Sequence, residues 1–352
     1  MTMKAYTRAA EAQRKPLSTA GAGGQDLKEL VRLATLAASS HNTQPWRFFV
    51  APDCIRIHPD LDRRCPVVDP HDAHLWRSVG CAAENIVVGA SAQRLSARVV
   101  FSDGAVQVAL GPAHDMLPDP LVHVIPERQS CKAPYDGQAL SGPELQSLED
   151  AALVNAACAV LITDDAQIKG IADLVAEGNR IQLADSGFRD ELIEWMRFSD
   201  REAIVTGDGL AGRVLGMPSV PRWLGRMLVN LMLSGPRQAD TDRHLLETSS
   251  AVAVIVAAGD EPETWIDTGR ASQRLQLQAT ALGIASAFLN QPIETAALRS
   301  RLESLLGLAP GERAHLMLRL GRGPQRPFSL RRKLDDVASF SGQASGTIHY
   351  RQ

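Results

Sequence analysis

The spacing of apolar and polar positions divides the chain into alternating helices and strands. From Asp26 onward, Leu27, Leu30, Val31, Leu33, Ala34 and Ala37 recur at helical spacing, with Asp26 placed to cap the first turn. The run Ser39-Ser40-His41-Asn42 stops that helix, because short polar side chains compete for backbone hydrogen bonds. Residues 46–50 and 54–58 read as strands about a Pro-Asp turn. A long apolar helix at 72–92 follows, then short strands at 97–101, 106–110 and 121–125. The polar segment 127–137 leads to a helix at 143–152, a strand at 159–163 and a charged helical stretch at 168–197. Residues 206–236 are irregular, yet Trp223, Leu224, Met227, Leu228 and Leu231 form an apolar stripe at helical spacing. A buried strand at 251–258, a helix at 264–282, a strand at 285–289, a helix at 295–306 and a strand at 315–320 complete the order. That order predicts a layered α/β or α+β sheet protein, not a bundle or a β-sandwich.

Two stretches resemble one another at an offset of 189 residues. Trp76-x-x-x-Gly80 heads the helix 82–92, and Trp265-x-x-x-Gly269 heads the helix 271–281. Ala82/Ala271, Ala90/Ala279 and Ala92/Ala281 coincide, and a short strand follows each helix. An internal duplication would explain this, although Ala-rich helices also match by chance.

Composition narrows the class. With 37 Lys and Arg against 40 Asp and Glu, the formal charge is -3, so no basic field for nucleic acid exists. At 5% aromatics a base-stacking platform is equally disfavoured. The run 251–258 is less than half the length that spans a bilayer, so no membrane partner is expected. Residues 1–25 read as a flexible arm without a secretory pattern, and the five scattered cysteines lack a Cys-x-x-Cys pair. A cytoplasmic protein with a small-molecule partner is the expectation.

Most candidate motifs fail on context. Gly21-Ala22-Gly23-Gly24 follows no strand, and Gly321-Arg322-Gly323 runs into Pro324, so both read as hinge and turn. No Gly-x-Ser-x-Gly elbow or His-Glu-x-x-His pair is present. His58, His71 and His74 with Asp69 and Asp72 could serve a metal-dependent hydrolase, but Asp69-Pro70-His71-Asp72 equally reads as a capped turn. The octet Ser39-Ser40-His41-Asn42-Thr43-Gln44-Pro45-Trp46 is different, because it presents hydroxyl, amide and imidazole groups consecutively at a helix-to-strand junction. Such a segment suits a flat heterocycle edged with carbonyls and ring nitrogens. In extended backbone Arg128, Ser130 and Lys132 share one side, where two cations about a hydroxyl suit a phosphate or ribityl chain. Arg331-Arg332-Lys333 is a further basic stretch that reads as solvated tail or phosphate clamp.

Together these residues resemble the nitroreductase superfamily of FMN-dependent oxidoreductases. Its Ser-x-x-Asn-x-Gln-Pro-Trp pattern is matched by Ser39, Asn42, Gln44, Pro45 and Trp46, and its Arg-x-Ser-x-Lys pattern by Arg128, Ser130 and Lys132. Ala281-Leu282-Gly283 before the strand, and the late Gly321 and Arg331-Arg332-Lys333, match two weaker signatures. The motif order is reversed from the ordinary family and resembles the Acg-type branch, in which one chain carries two nitroreductase-like halves. The resemblance implies an α+β fold of the three-layer α/β sandwich type, built as a pseudo-dimer: an arm at 1–25, halves at 26–125 and 126–340 around antiparallel or mixed sheets, a lid-like insertion at about 206–236, and a tail at 341–352. The assembly would be a pseudo-dimeric monomer or a homodimer.

The implied cofactor is one FMN between the halves, reduced by NAD(P)H and passing hydride from N5 to a nitro compound or quinone. Arg128 and Lys132 would meet its phosphate, ribityl chain or ring O2 edge, with Ser130 beside them. Ser39, Ser40, Asn42 and Gln44 would approach from the other half, Asn290 and Gln291 would lie near N5, and Arg331 or Arg332 would complete the phosphate site. Flavin chemistry needs no dedicated acid-base side chain, so no catalytic residue and no metal are expected. The alternative is a flavin-sequestering protein whose lid blocks turnover. The stripe at 223–231 would then be the lid helix; otherwise it is a packed surface helix or a pocket wall.

Overall fold

The computed structural model describes residues 3–17 and 26–341. Helix α1 (Met3–Gln13) precedes α2 (Leu27–Thr35), which Asp26 caps by accepting from the Glu29 amide. Strands β1 (Trp46–Ala51) and β2 (Cys54–Pro59) lead into α3 (Ala73–Ala92), followed by the hairpin β3 (Leu95–Ser102) and β4 (Ala105–Pro112). The second stretch runs α4 (Gly142–Ala151), β5 (Cys158–Ile162), α5 (Asp165–Ala184), α6 (Ser186–Trp195), β6 (Met196–Arg197), α7 (Asp200–Thr206) and β7 (Leu210–Ala211). It continues as α8 (Arg222–Met232), α9 (Gly235–Glu247), β8 (Ala251–Ala258), α10 (Pro262–Ala281), β9 (Ala285–Phe288) and α11 (Gln291–Glu294). Last come α12 (Ala296–Leu306), β10 (Glu312–Gly321), α13 (Leu334–Val337) and β11 (Ala338–Phe340).

Two open sheets flank the long helices, giving the α+β class. One has the order β11-β1-β2-β4-β3, the other β5-β8-β10-β9. On β8, Ala251, Ala253 and Ile255 face α4 and α10, whereas Val252, Val254 and Val256 face α5 and α12. Burial on both faces is why this strand is an unbroken apolar run. The first sheet buries one face only, with Trp46, Phe48, Ile55, Ile57, Val106 and Val108 against α2 and α3. Strand β11 adds to it in parallel beside β1, pairing Phe48 with Ala338, so the chain's last described strand returns to the first half's sheet.

Helices α3 and α10 cross at the two repeated glycines. A Cβ on Gly80 would overlap the Ile266 carbonyl, and one on Gly269 would overlap the Arg77 carbonyl. Arg77 and Ile266 are themselves offset by 189 residues, so the contact is reciprocal, as in a twofold-related pair. The seam is polar and paired. Gln273 donates to Asn85 (2.8 Å), and Arg270 and Arg274 bind the buried Glu84 at 2.9 and 3.0 Å.

Several expectations need correction. Of the supposed flexible arm 1–25, residues 3–13 are helical, with Tyr6 and Ala10 buried against Ala203, Ala211 and Leu330. Residues 18–25, including the Gly21–Gly24 cluster, lie outside the described residues, as does 342–352 of the expected tail. The supposed strand 121–125 is a 3-10 turn (Pro120–Val124), because Asp119 accepts from the Leu121 amide and Pro120 fixes a helical φ. The stretch 168–197 breaks into α5 and α6 at Asp185, which caps α6 through Gly187. Alternation alone cannot separate a strand from a tight helical turn over five residues.

Candidate functional site

The octet folds into a strained turn. Ser39 is extended, and its hydroxyl accepts from the Gln44 amide (3.1 Å), while Ser40–Asn42 form a 3-10 turn. His41, Asn42 and Gln44 all lie in left-handed backbone, at φ 46°, 55° and 55°. Each costs of order 1 kcal/mol or more, so the surroundings must impose this shape. The amide side chains do so. Asn42 Nδ2 donates to the carbonyls of Gly209 and Leu330, both at 3.1 Å, and Arg331 donates to its Oδ1 (3.0 Å). Gln44 Nε2 donates to Gly207 (2.9 Å), and its Oε1 accepts from the Arg332 amide (2.9 Å). Both glycines have positive φ and no room for a Cβ, so the start of the 206–236 insertion is fixed directly on the octet.

Arginines gather at the end of α2. Arg331 donates to the Thr35, Leu36 and Ala37 carbonyls (2.7, 3.1 and 3.2 Å), and Arg128 donates to Leu36 (2.9 Å) and Gln276 (3.2 Å). Arg332 points elsewhere, pairing with Asp60 (3.2 Å) and the Gln44 carbonyl (3.2 Å). Arg14 was not anticipated by the sequence. It is buried and donates to the Pro126 and Arg128 carbonyls (2.7 and 3.0 Å).

Ser130 sits beside Ser286 in an isolated parallel bridge, which lays this segment along β9 at the edge of the second sheet. Cys131, Ala133 and Tyr135 turn inward, and Lys132 turns out. Arg319 pins the segment through the Cys131 and Ala133 carbonyls (2.9 and 2.8 Å). Lys132 is open to solvent, yet so closely walled that desolvation lowers its pKa, with Asp242, Arg319 and Glu294 as its charged neighbours. The Lys132 charge also acts on His41 of the octet, where burial first and that charge second push the imidazole down to about 4.

Asn290 and Gln291 lie where β9 leads into α11. The Met317 amide donates to Asn290 Oδ1 (2.9 Å), and Gln291 Nε2 donates to Asn179 (3.2 Å) and Asp242 (3.1 Å). Gln291 Oε1 is buried with no partner among the described residues. Next to them stands Glu294, which the sequence reading did not reach. Burial raises its pKa to about 7, Gln182 donates to it (2.6 Å), and His74 Nε2 lies 3.6 Å away. Its signal was a carboxylate in the Gln-Pro-Ile-Glu turn directly after an edge strand.

The metal reading disperses. His58 lies edge-on to Phe49 (4.9 Å), Asp69 accepts from the Leu75 amide (3.0 Å), and His74 faces Glu294. Among the described residues no three His, Cys, Asp or Glu side chains gather to hold a metal ion. The helix predicted within 206–236 exists as α8, but it packs through Gly225 and Val229 on Phe198. Of its stripe, Trp223 (69% exposed), Met227 and Leu231 (78% exposed) face outward, whereas Leu224 and Leu228 are half-buried.

A profile described as the nitroreductase family matches residues 125–322, more than half of the chain, and the chain belongs to that family. It is 25% identical over 327 residues to the "Putative NAD(P)H nitroreductase Rv3131" of Mycobacterium tuberculosis, covering 90% of this chain and 92% of the relative. Among solved structures it is similar to a nitroreductase with bound FMN from Bacteroides fragilis (14% identity, TM-score 0.36, 66% of this chain and 100% of that one). Another is an NADPH:FMN oxidoreductase of Vibrio harveyi complexed with NAD+ (13% identity, TM-score 0.37, 61% and 73%). These two likenesses are too distant to bear on the site. No helix among the described residues is long and apolar enough to cross a membrane.

Proposed function

We propose that this chain binds one FMN between its halves and uses it to pass hydride from NAD(P)H to a nitro compound or quinone. The observation that carries the reading is that Arg331 bonds Asn42 of the octet and shares the Leu36 carbonyl with Arg128 of the second motif. The residues fit the group. Arg128 and Arg331 share the Leu36 carbonyl without a carboxylate among the described residues, which suits a phosphate. Arg332 is already paired with Asp60 and Arg331 donates to the Thr35, Leu36, Ala37 and Leu330 carbonyls and to Asn42, whereas Arg128 keeps an Nε with no partner among the described residues. Lys132, Ser130 and the open edge of Ser39 and Ser40 supply donors for ribityl and ring oxygens, and Gln291 Oε1 is a free acceptor. Asn42 and Gln44 act indirectly, by holding the turn and the insertion in register.

The flavin, when bound, would supply the two-electron carrier. Reduction of a nitro group to nitroso takes a hydride and one proton and releases water. Lys132 would hold the electron-rich ring edge by charge. His41, neutral above about pH 4, would leave that charge undivided. Glu294, protonated in a fraction of molecules near neutrality, would keep a proton at the carboxyl facing His74. Anaerobic addition of NADH or NADPH to the holoprotein should bleach the flavin, and nitrofurazone or menadione should restore it at roughly 1 per second or faster. A flavin that neither cofactor reduces refutes the reading.

The anchoring of Gly207 and Gly209 on the octet favours one second reading, a flavin store closed by the 206–236 insertion. Reduction without reoxidation by either acceptor would favour the store.

A further inference from the structure

Helix α8 carries an apolar line on its solvent side. Gly225 and Val229 are its buried positions, and the Phe198 ring lies so close to Gly225 that no Cβ would fit between them. Residues four apart share a face, so the line opposite that contact runs through Trp223, Met227 and Leu231. All three are more than half exposed, as is Met232 at the helix end. A surface helix ordinarily places charged or polar groups there. Here Arg222, Arg226 and Asn230 are confined to one flank, and the half-buried Leu224 and Leu228 occupy the other.

The charge around this line is of one sign. Between Asp208 and Asp240 the sequence has four arginines and no Asp or Glu, in a chain whose formal charge is -3. Two of the four are neutralised from outside the stretch: Arg213 pairs with Asp200 (2.6 Å), and Arg222 with Glu194 (3.0 Å) and Glu202. Arg226 and Arg237 are exposed and make no ion pair among the described residues. Arg180 of α5 is exposed and unpaired in the same sense, and it lies against Gly235, where α9 begins just after α8. One free guanidinium thus stands on α8 and two stand at its C-terminal end.

An apolar line that includes a tryptophan, edged by cations without partners, is complementary to an anionic lipid surface. Trp, Met and Leu enter the acyl boundary there, and arginines meet the headgroup phosphates. We propose that α8 docks this protein on membranes that carry anionic lipid, lying in the plane of the interface. At 11 residues the helix is too short to span a bilayer, so it rests on one. A second copy of the chain suits this face poorly, because a twofold contact along the line would set like charges together, Arg226 foremost. The proposal does not depend on the flavin reading, since none of its residues belongs to the octet or to the Arg128–Lys132 segment.

The test sediments the full chain with vesicles of equal parts phosphatidylglycerol and phosphatidylcholine, and with vesicles of phosphatidylcholine alone. Binding to the anionic vesicles should be at least about tenfold stronger than to the neutral ones, and salt near about 0.5 M should weaken it. Trp223→Ser and Leu231→Ser should each lower the affinity about fivefold or more, because each removes a large apolar side chain from the interface. Arg226→Gln with Arg237→Gln should lower it about 25-fold, at about fivefold per charge. The blue shift of tryptophan emission on binding should vanish in Trp223→Ser and persist in Leu231→Ser, which separates contact of this side chain from a general loss of affinity. Absence of binding, equal binding to both vesicles, or binding that the α8 substitutions leave unchanged would overturn the proposal. So would dimerisation of the native chain that Leu231→Ser abolishes while the vesicles stay unbound, because the face would then be a contact between copies.

Discussion

Arginines gather in two places in the molecule, and the two places are built oppositely. At the α3–α10 seam, Arg270 and Arg274 converge on Glu84, and Arg274 also reaches Asp119 (3.1 Å). Beside α2, Arg14, Arg128 and Arg331 converge on carbonyls alone. The seam carries its own counter-ions and two glycines placed for direct backbone contact. It is finished as folded. The second cluster is paired only in hydrogen bonds, under a turn with three residues in left-handed backbone. One place balances its charge with carboxylates, and the other spends its donors on neutral oxygens.

The largest expected effect falls on the seam. Gly80→Val should cost about 3 kcal/mol or more in denaturant unfolding, since its side chain would enter the Ile266 carbonyl. Gly269→Val should cost a similar amount, and a difference beyond about 1 kcal/mol would break the reciprocity of the two helices. Next, Glu84→Gln should lose about 2 kcal/mol by stranding two arginines, whether or not flavin is present. Arg128→Met, by contrast, should cost the flavin-free protein about 1 kcal/mol or less, because a desolvated charge leaves with its hydrogen bonds. The same variant should lose FMN affinity by about 100-fold, a contrast that unfolding with and without FMN reads directly.

Smaller effects belong to single titratable groups. Glu294 has a folded pKa near 7, above its ordinary value, so its ionisation works against the fold. Its contribution to stability is intact at pH 4 and is lost as pH rises from about 4.5 to 7, by up to about 3 kcal/mol. His41 runs the other way: its folded value near 4 makes stability fall as pH drops from about 6.5 to 4. Glu294→Gln should remove the first slope and keep the second, as pH-dependent unfolding curves would report. The smallest change belongs to α8. Trp223→Ser should alter stability by about 0.5 kcal/mol or less, because that side chain is 69% exposed, and flavin retention should not move.

The sequence made the octet, the buried strand 251–258 and the repeated Trp-x-x-x-Gly helices legible, because each is coded locally. It did not show that Asn42 and Gln44 would turn their amides onto Gly207, Gly209 and the 330–332 stretch, contacts more than 160 positions away. Nor could it show which of Arg331 and Arg332 stays unpaired, since Asp60 decides that through space. Helix α1 was hidden because its only described buried positions, Tyr6 and Ala10, are too few for a periodic signal. They find their neighbours in α7 and the C-terminal stretch. Glu294 acquired its raised pKa from burial, a property that no spacing records.

The account's central claim is that two motifs from two halves make one flavin site. Titration of the flavin-stripped chain with FMN, followed by quenching of flavin fluorescence, tests it most directly. The expected result is saturation at one FMN per chain, abolished by Arg128→Met. Saturation at two per chain, or none, would contradict it.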